Sequence, residues 1–148
     1  KRVPFRFLRI AGDARMALAD AAVARLLQRQ ANPGDGAIDK LRTRFTLPPL
    51  TIAVIARLGP DEKIPESERA ATASCVCLLL LQAAQAEGFG AQWLTGWTAY
   101  DRPFLENVLG LETDEQLAGT IAIGTPQVLA PERERPDPAA LLTDYLPR

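Results

Sequence analysis

Trp93 and Trp97 flank Leu94, Thr95 and Gly96 in a stretch that also holds Gly88 and Gly90. Small residues beside indoles let a planar ligand approach the backbone, where donors can meet ring heteroatoms. The same indoles can equally fill core between a strand and a helix, and the spacing leaves both readings open. Arg133 and Arg135, separated by Glu134 in a proline-held segment, suit pairing with a carboxylate or a phosphate. Paired carboxylates stand at Asp61 and Glu62, Glu66 and Glu68, and Glu112 and Asp114. All fall in polar turns or first helical turns, where solvation or a helix dipole explains them better than acid–base catalysis. The sequence has no histidine, which excludes an imidazole base, a Ser-His-Asp triad and a histidine metal site within it. The glycine-containing stretches GDG, GFG and IGTP lack the spacing of a dinucleotide fold or a phosphate-binding loop.

A length of 148 residues suits one domain, and 47% apolar with 24% charged residues is ordinary for a globular one. A formal net charge of −1 supplies no global drive toward nucleic acid or an anionic membrane, so neither is expected as a partner. Cys75 and Cys77 lie two apart and would point to different faces of a helix. Neither a local disulfide nor a shared metal fits, and both are expected to be reduced packing residues of a cytoplasmic protein. The opening KRVPFRFLRI is interrupted by arginines, unlike a signal peptide, and the run CVCLLLL is broken by Gln82 and Gln85 and too short to span a bilayer.

These residues must be held by alternating elements. Val3, Phe5 and Phe7 begin a strand that ends at Gly12-Asp13, and Asp13 is placed to cap a helix reaching about Gln30. AIDKLRTRF reads as a short helix or lid, and Leu50–Leu58 as a strand covered on both faces. From Arg69 to Glu87 a helix is apolar on nearly every side, which requires burial all round and predicts a homodimer with this helix at its centre. GFGAQWLTG is a short strand, Asp101 caps a helix that Gly110 can end, and LAGTIAIGTP is a further strand. Pro131, Pro136, Pro138 and Pro147 keep the tail from being one helix. Its Leu141, Leu142, Tyr145 and Leu146 need a surface, which an arm over a neighbouring subunit would find. The alternation alone suggests an α/β sheet.

Taken in order, PFRFLRI with GDAR, AIDK, PLTIAVIA, KIPESE, the helix ending QAEGFGAQWLTG, and LAGTIAIGTP with RPDP resemble the nitroreductase family, in its short branch. The ordered set, not any one string, carries the resemblance. It implies an α+β fold with a mixed central sheet flanked by helices, and an intertwined homodimer holding FMN. Residues 1–148 then form one nitroreductase-like domain, with 127–148 a C-terminal arm on the partner subunit.

The resemblance places Trp93, Leu94 and Thr95 on the strand lining FMN, and Arg133 or Arg135 at the FMN phosphate. Ala83, Ala84, Gln85, Ala86, Glu87 and Gly88 fall on the helix end associated with NAD(P)H. No side chain acts as acid or base, because the flavin carries the chemistry: hydride from NAD(P)H passes through FMN to a nitroaromatic, quinone or similar acceptor. The family's opening Arg-Arg-Ser motif has no counterpart in the sequence, Leu94 stands where the branch often has Arg, and Phe5 and Ser67 stand where it has Trp. These departures sustain a second reading, a dimeric flavin-binding or scaffold protein without the activity.

Overall fold

The computed structural model describes residues 2–128 and 130–147. Strand β1 (Phe5–Ala11) leads into helix α1 (Ala14–Arg29), then α2 (Asp35–Thr46) and β2 (Leu50–Arg57). The long α3 (Glu66–Ala86) is followed by β3 (Gly90–Leu94), a 3-10 turn at Trp97–Ala99, α4 (Arg102–Asn107) and β4 (Glu115–Gly124). The strands form one sheet in the order β1-β2-β4-β3. Every pairing is antiparallel. The α/β sheet suggested by alternation is therefore corrected to α+β. The mixed sheet that the resemblance implies is represented among the described residues by antiparallel pairs.

Strand β2 sits inside the sheet, and its unbroken apolar run suits burial on both faces. Ala53 and Ile55 join the core under α1, α2 and α4, with Leu18, Ala22, Leu41, Phe45 and Phe104. Val54 and Ala56 face the other way, against Ala73 and Cys77 of α3. A register shift between Val54 and Ile55 bulges β4 near Gly119. Trp93 uses the space: its Nε1 donates to the Ala118 carbonyl at 3.2 Å, and a Cβ on Gly119 would collide with the indole.

Three local expectations are corrected. Asp13 stands at the α1 N-cap position in αR conformation and makes no side-chain cap bond; the turn is closed by backbone donation to its carbonyl and that of Gly12 instead. Helix α3, by contrast, is covered by its own chain on one side only, as its all-round apolar surface predicts: Arg69, Ala73, Cys77 and Ala84 are buried, while Leu78 and Leu79 are 50% and 60% exposed. One sheet face is too narrow to cover a helix that is apolar all round. Cys75 is likewise exposed, whereas Cys77 is buried and its thiol is pushed up to about 11 by desolvation. With the flanking residues included, α3 is also long and apolar enough to cross a membrane by length and composition, contrary to the expectation from CVCLLLL alone.

Candidate active site

A cleft of about 690 Å³ opens between α2 and the β3 end of the sheet. Residues two apart on a strand share a face, so Gln92 and Leu94, opposite Ala122 and Thr120, lie toward α2. Leu94, Ala122, Leu47 and Trp97 make its apolar walls, and α2 contributes Asp39, Lys40 and Arg44. Lys40 and Arg44 are four apart, one helical turn, and so project from one side of α2.

Arg44 has an unusual setting. One terminal nitrogen, Nη2, donates to the Thr95 carbonyl, and Nη1 lies 2.8 Å from where a Cβ of Gly96 would stand. Gly96 has φ +80°, so glycine there serves both the backbone and the approach of the guanidinium. The Nε is buried with no hydrogen-bond partner. The guanidinium carbon lies 5.6 Å from the Phe45 ring centroid. Burial lowers the Arg44 pKa from its usual value. Among the described residues, neither Arg44 nor Lys40 is in an ion pair.

At the far wall, Trp97 is held from behind. The Arg29 guanidinium carbon lies 4.8 Å from the indole centroid, and the Phe104 ring lies 6.1 Å away, inclined at 59°. Asp101 fixes that arginine, accepting from Arg29 Nη1 at 2.5 Å and from Arg25 Nε and Nη2 at 2.7 and 3.1 Å. The same carboxylate caps α4 by accepting from the Phe104 N–H at 3.0 Å. The Arg25 hydrogen bonds, opposed by desolvation and joined by the Phe104 N–H and Arg29, hold its pKa down at about 2.

The expected site residues divide. Leu94 lines the cleft, whereas Thr95 is tied to it only through its carbonyl, which accepts from the cleft residue Arg44. Trp93 points to the opposite face, toward α3. Ala83–Gly88 lie at the C-terminal end of α3, on that opposite face, where Gly88 at φ +82° turns the chain out of the helix. A helix C-terminus beside Glu87 presents partial negative charge, a poor seat for nucleotide phosphates. Arg133 and Arg135 are exposed on the tail and do not line the cleft; Arg135 Nε stands 3.9 Å from Glu132. Lys40 and Arg44 were not among the expected residues. Their i,i+4 spacing was the available signal, readable once AIDKLRTRF is taken as a full helix.

A second cleft, about 540 Å³, lies beside α4 and carries Glu66 and Asp114. Its arginine, Arg102, is already bonded to Glu106 and to the carbonyls of Glu112 and Glu115, so it has little left to offer a ligand.

The sequence profile of the nitroreductase family matches residues 1–125. This chain belongs to the nitroreductase family. It is accordingly an enzyme of the flavin oxidoreductase kind. YdjA of Escherichia coli K12, a protein assigned as an NAD(P)H nitroreductase, is 31% identical over 147 residues, covering 96% of this chain and 76% of YdjA. A nitroreductase-like protein from Bacillus cereus shares the fold at TM-score 0.79 and 20% identity, over 96% of this chain and 73% of that one. A nitroreductase-assigned protein from Desulfovibrio desulfuricans, solved in complex with FMN, is similar at TM-score 0.67 and 25% identity, over 97% and 74%. The fold is the α+β nitroreductase-like fold.

Proposed function

We propose that this chain is an FMN-dependent oxidoreductase passing hydride from NAD(P)H, through bound FMN, to a nitroaromatic, quinone or similar acceptor, in the cytoplasm and as a homodimer. Arg44 carries the reading: a partly desolvated guanidinium that, among the described residues, has no counter-ion and an unpartnered Nε borders a cleft walled by Leu94. The donor set fits FMN. A flavin has a flat apolar body, an electron-rich pyrimidine edge and an anionic phosphate, and a cleft of this size is in the range of small-ligand sites. Lys40 and Arg44 supply positive charge, Gln92 an amide, and Leu47, Leu94 and Ala122 exclude water. By gripping the Thr95 carbonyl, Arg44 also fixes the turn after β3 against α2.

When bound, FMN supplies the hydride acceptance and donation that no side chain of a histidine-free chain need perform. On this reading Arg133 or Arg135, exposed on the tail and away from the cleft of its own chain, meets the phosphate only as part of an arm laid over the partner subunit. The homodimer is supported by apolar surface that a lone chain leaves wet: Leu78 and Leu79 on α3, and Leu141, Leu142, Tyr145 and Leu146 on the tail. The NAD(P)H nitroreductase assignment of YdjA and the FMN of the Desulfovibrio protein support the choice of donor and cofactor.

A visible absorption spectrum of the purified protein titrated with FMN tests the reading. Bound oxidised flavin that bleaches on adding NAD(P)H is expected. A folded dimer that binds no flavin would overturn it.

A further inference from the structure

Trp97 packs against the core under α1, α2 and α4, yet it is also the aromatic side chain among the described residues lining the cleft, a position that core packing alone does not require. We propose that Trp97 determines acceptor specificity: its indole is the wall against which the acceptor's ring stacks, and Arg29 is the positioning residue that fixes it. This inference rests on the flavin oxidoreductase reading and names a substrate contact for it.

The argument starts from how the indole is held. Gly96 at φ +80° turns the chain sharply, and Trp97 opens the 3-10 turn that follows. A tryptophan serving only as core filler needs apolar neighbours. Trp97 has Phe104 on one side, but a cation also lies against its ring at 4.8 Å. That cation is itself anchored at 2.5 Å to Asp101, which is further engaged by Arg25 and by the α4 N-cap. The ring is thereby held from α1 and α4 at a position that also lines the cleft. Fixing a flat side chain before the ligand arrives removes an ordering cost from binding. Indole is the most electron-rich of the protein rings, and its face is attracted to electron-poor partners. Nitroaromatics and quinones are electron-poor and flat. An acceptor without a ring gains nothing from such a wall.

The test compares a nitroaromatic, 4-nitrobenzyl alcohol, with ferricyanide, which has no ring to stack, using the FMN-loaded full chain and its Trp97→Ala, Trp97→Phe and Arg29→Gln variants. The ratio of kcat/KM for the nitroaromatic to that for ferricyanide is expected to fall about three- to tenfold in Trp97→Ala, the worth of one aromatic stacking contact, through a raised KM. Trp97→Phe is expected to keep most of the ratio. Arg29→Gln, which leaves the indole in place, is expected to lower it about twofold. If Trp97→Ala does not fold, the other two variants carry the test. An unchanged ratio in all variants overturns the inference. A loss of FMN affinity, measured by titration, with the ratio unchanged places the indole against the flavin and overturns it as well. Failure of the wild-type protein to bind FMN or to reduce ferricyanide with NAD(P)H refutes the underlying reading, a result separate from either of these.

Discussion

Arg69 and Arg44 each bury an Nε that has no partner, yet the rest of the two guanidinium groups is used differently. Arg69, at the start of α3, gives Nη1 to the carbonyls of Arg57 and Gly59 at 3.1 and 2.7 Å, and Nη2 to that of Leu58 at 3.1 Å. It ties the end of β2 to the helix that crosses the sheet. Arg44 meets one carbonyl, that of Thr95, and faces a cleft. Counting acceptors thus separates a staple from a group with capacity in reserve. A charged donor surrounded by carbonyls stabilises the fold, whereas one with a single acceptor and, among the described residues, no counter-ion keeps donors free.

The largest effect should come from removing the staple. Arg69→Met strands three carbonyls, one of them in a buried bond, and is expected to cost about 3 kcal/mol. For a chain of this length that lowers Tm by about 6–12 °C in a thermal melt. A loss below about 1 kcal/mol would mean that water replaces the guanidinium and that acceptor count does not mark the structural arginine.

A third arrangement sharpens the contrast, because Arg25 and Arg29 are matched to a carboxylate. The Asp101 pKa lies at about 2, below the usual 3.8. A depressed carboxylate stabilises the fold above its unfolded pKa and loses that contribution as pH falls through the folded value. The contribution is therefore complete above about pH 4–5 and vanishes below about pH 2, and amounts to about 1–2 kcal/mol once the part-exposed arginines are allowed for. Asp101→Asn keeps an oxygen for the Phe104 N–H but not the charge. Urea denaturation across pH 2–5 should show a flatter acid limb in that variant. An unaltered slope would mean the ion pairs are fully screened.

Much of this layout was legible in the residues, and the illegible parts have physical causes. Strand β2 announces itself because Pro49 and Gly59 punctuate a β-branched run, and the α4 cap because Asp101 precedes Arg102-Pro103. Helix α3 was legible as a helix needing more cover than its own chain supplies, and Leu78 and Leu79 are exposed accordingly. A helix apolar all round looks the same whether its own chain or a second one covers it. Trp93 and Trp97 were read as one feature, but pleat alternation sends Trp93 toward α3 while the bend at Gly96 leaves Trp97 at the cleft. A five-residue strand between glycines does not reveal its register without its partner strand. Lys40 and Arg44 do not stand out as a pair because a polar stretch between two turn signals reads equally as a short helix or a lid. A helix presenting them together was legible only in part.

The smallest stability effect, and the one that decides the comparison, belongs to Arg44. Arg44→Met forfeits one bond to Thr95 and also removes a desolvated, unmatched charge. These oppose each other, so stability should change by less than about 1 kcal/mol. Flavin affinity should nonetheless fall about ten- to a hundredfold, the worth of one charge-assisted hydrogen bond, in a fluorescence titration with FMN. Arg44→Lys should fall between, since a point charge restores attraction without the planar fork that reaches Thr95. Stability lost with affinity kept would make Arg44 a second Arg69, a staple between α2 and the turn after β3. Affinity lost with stability kept is the result that the difference in acceptor count requires.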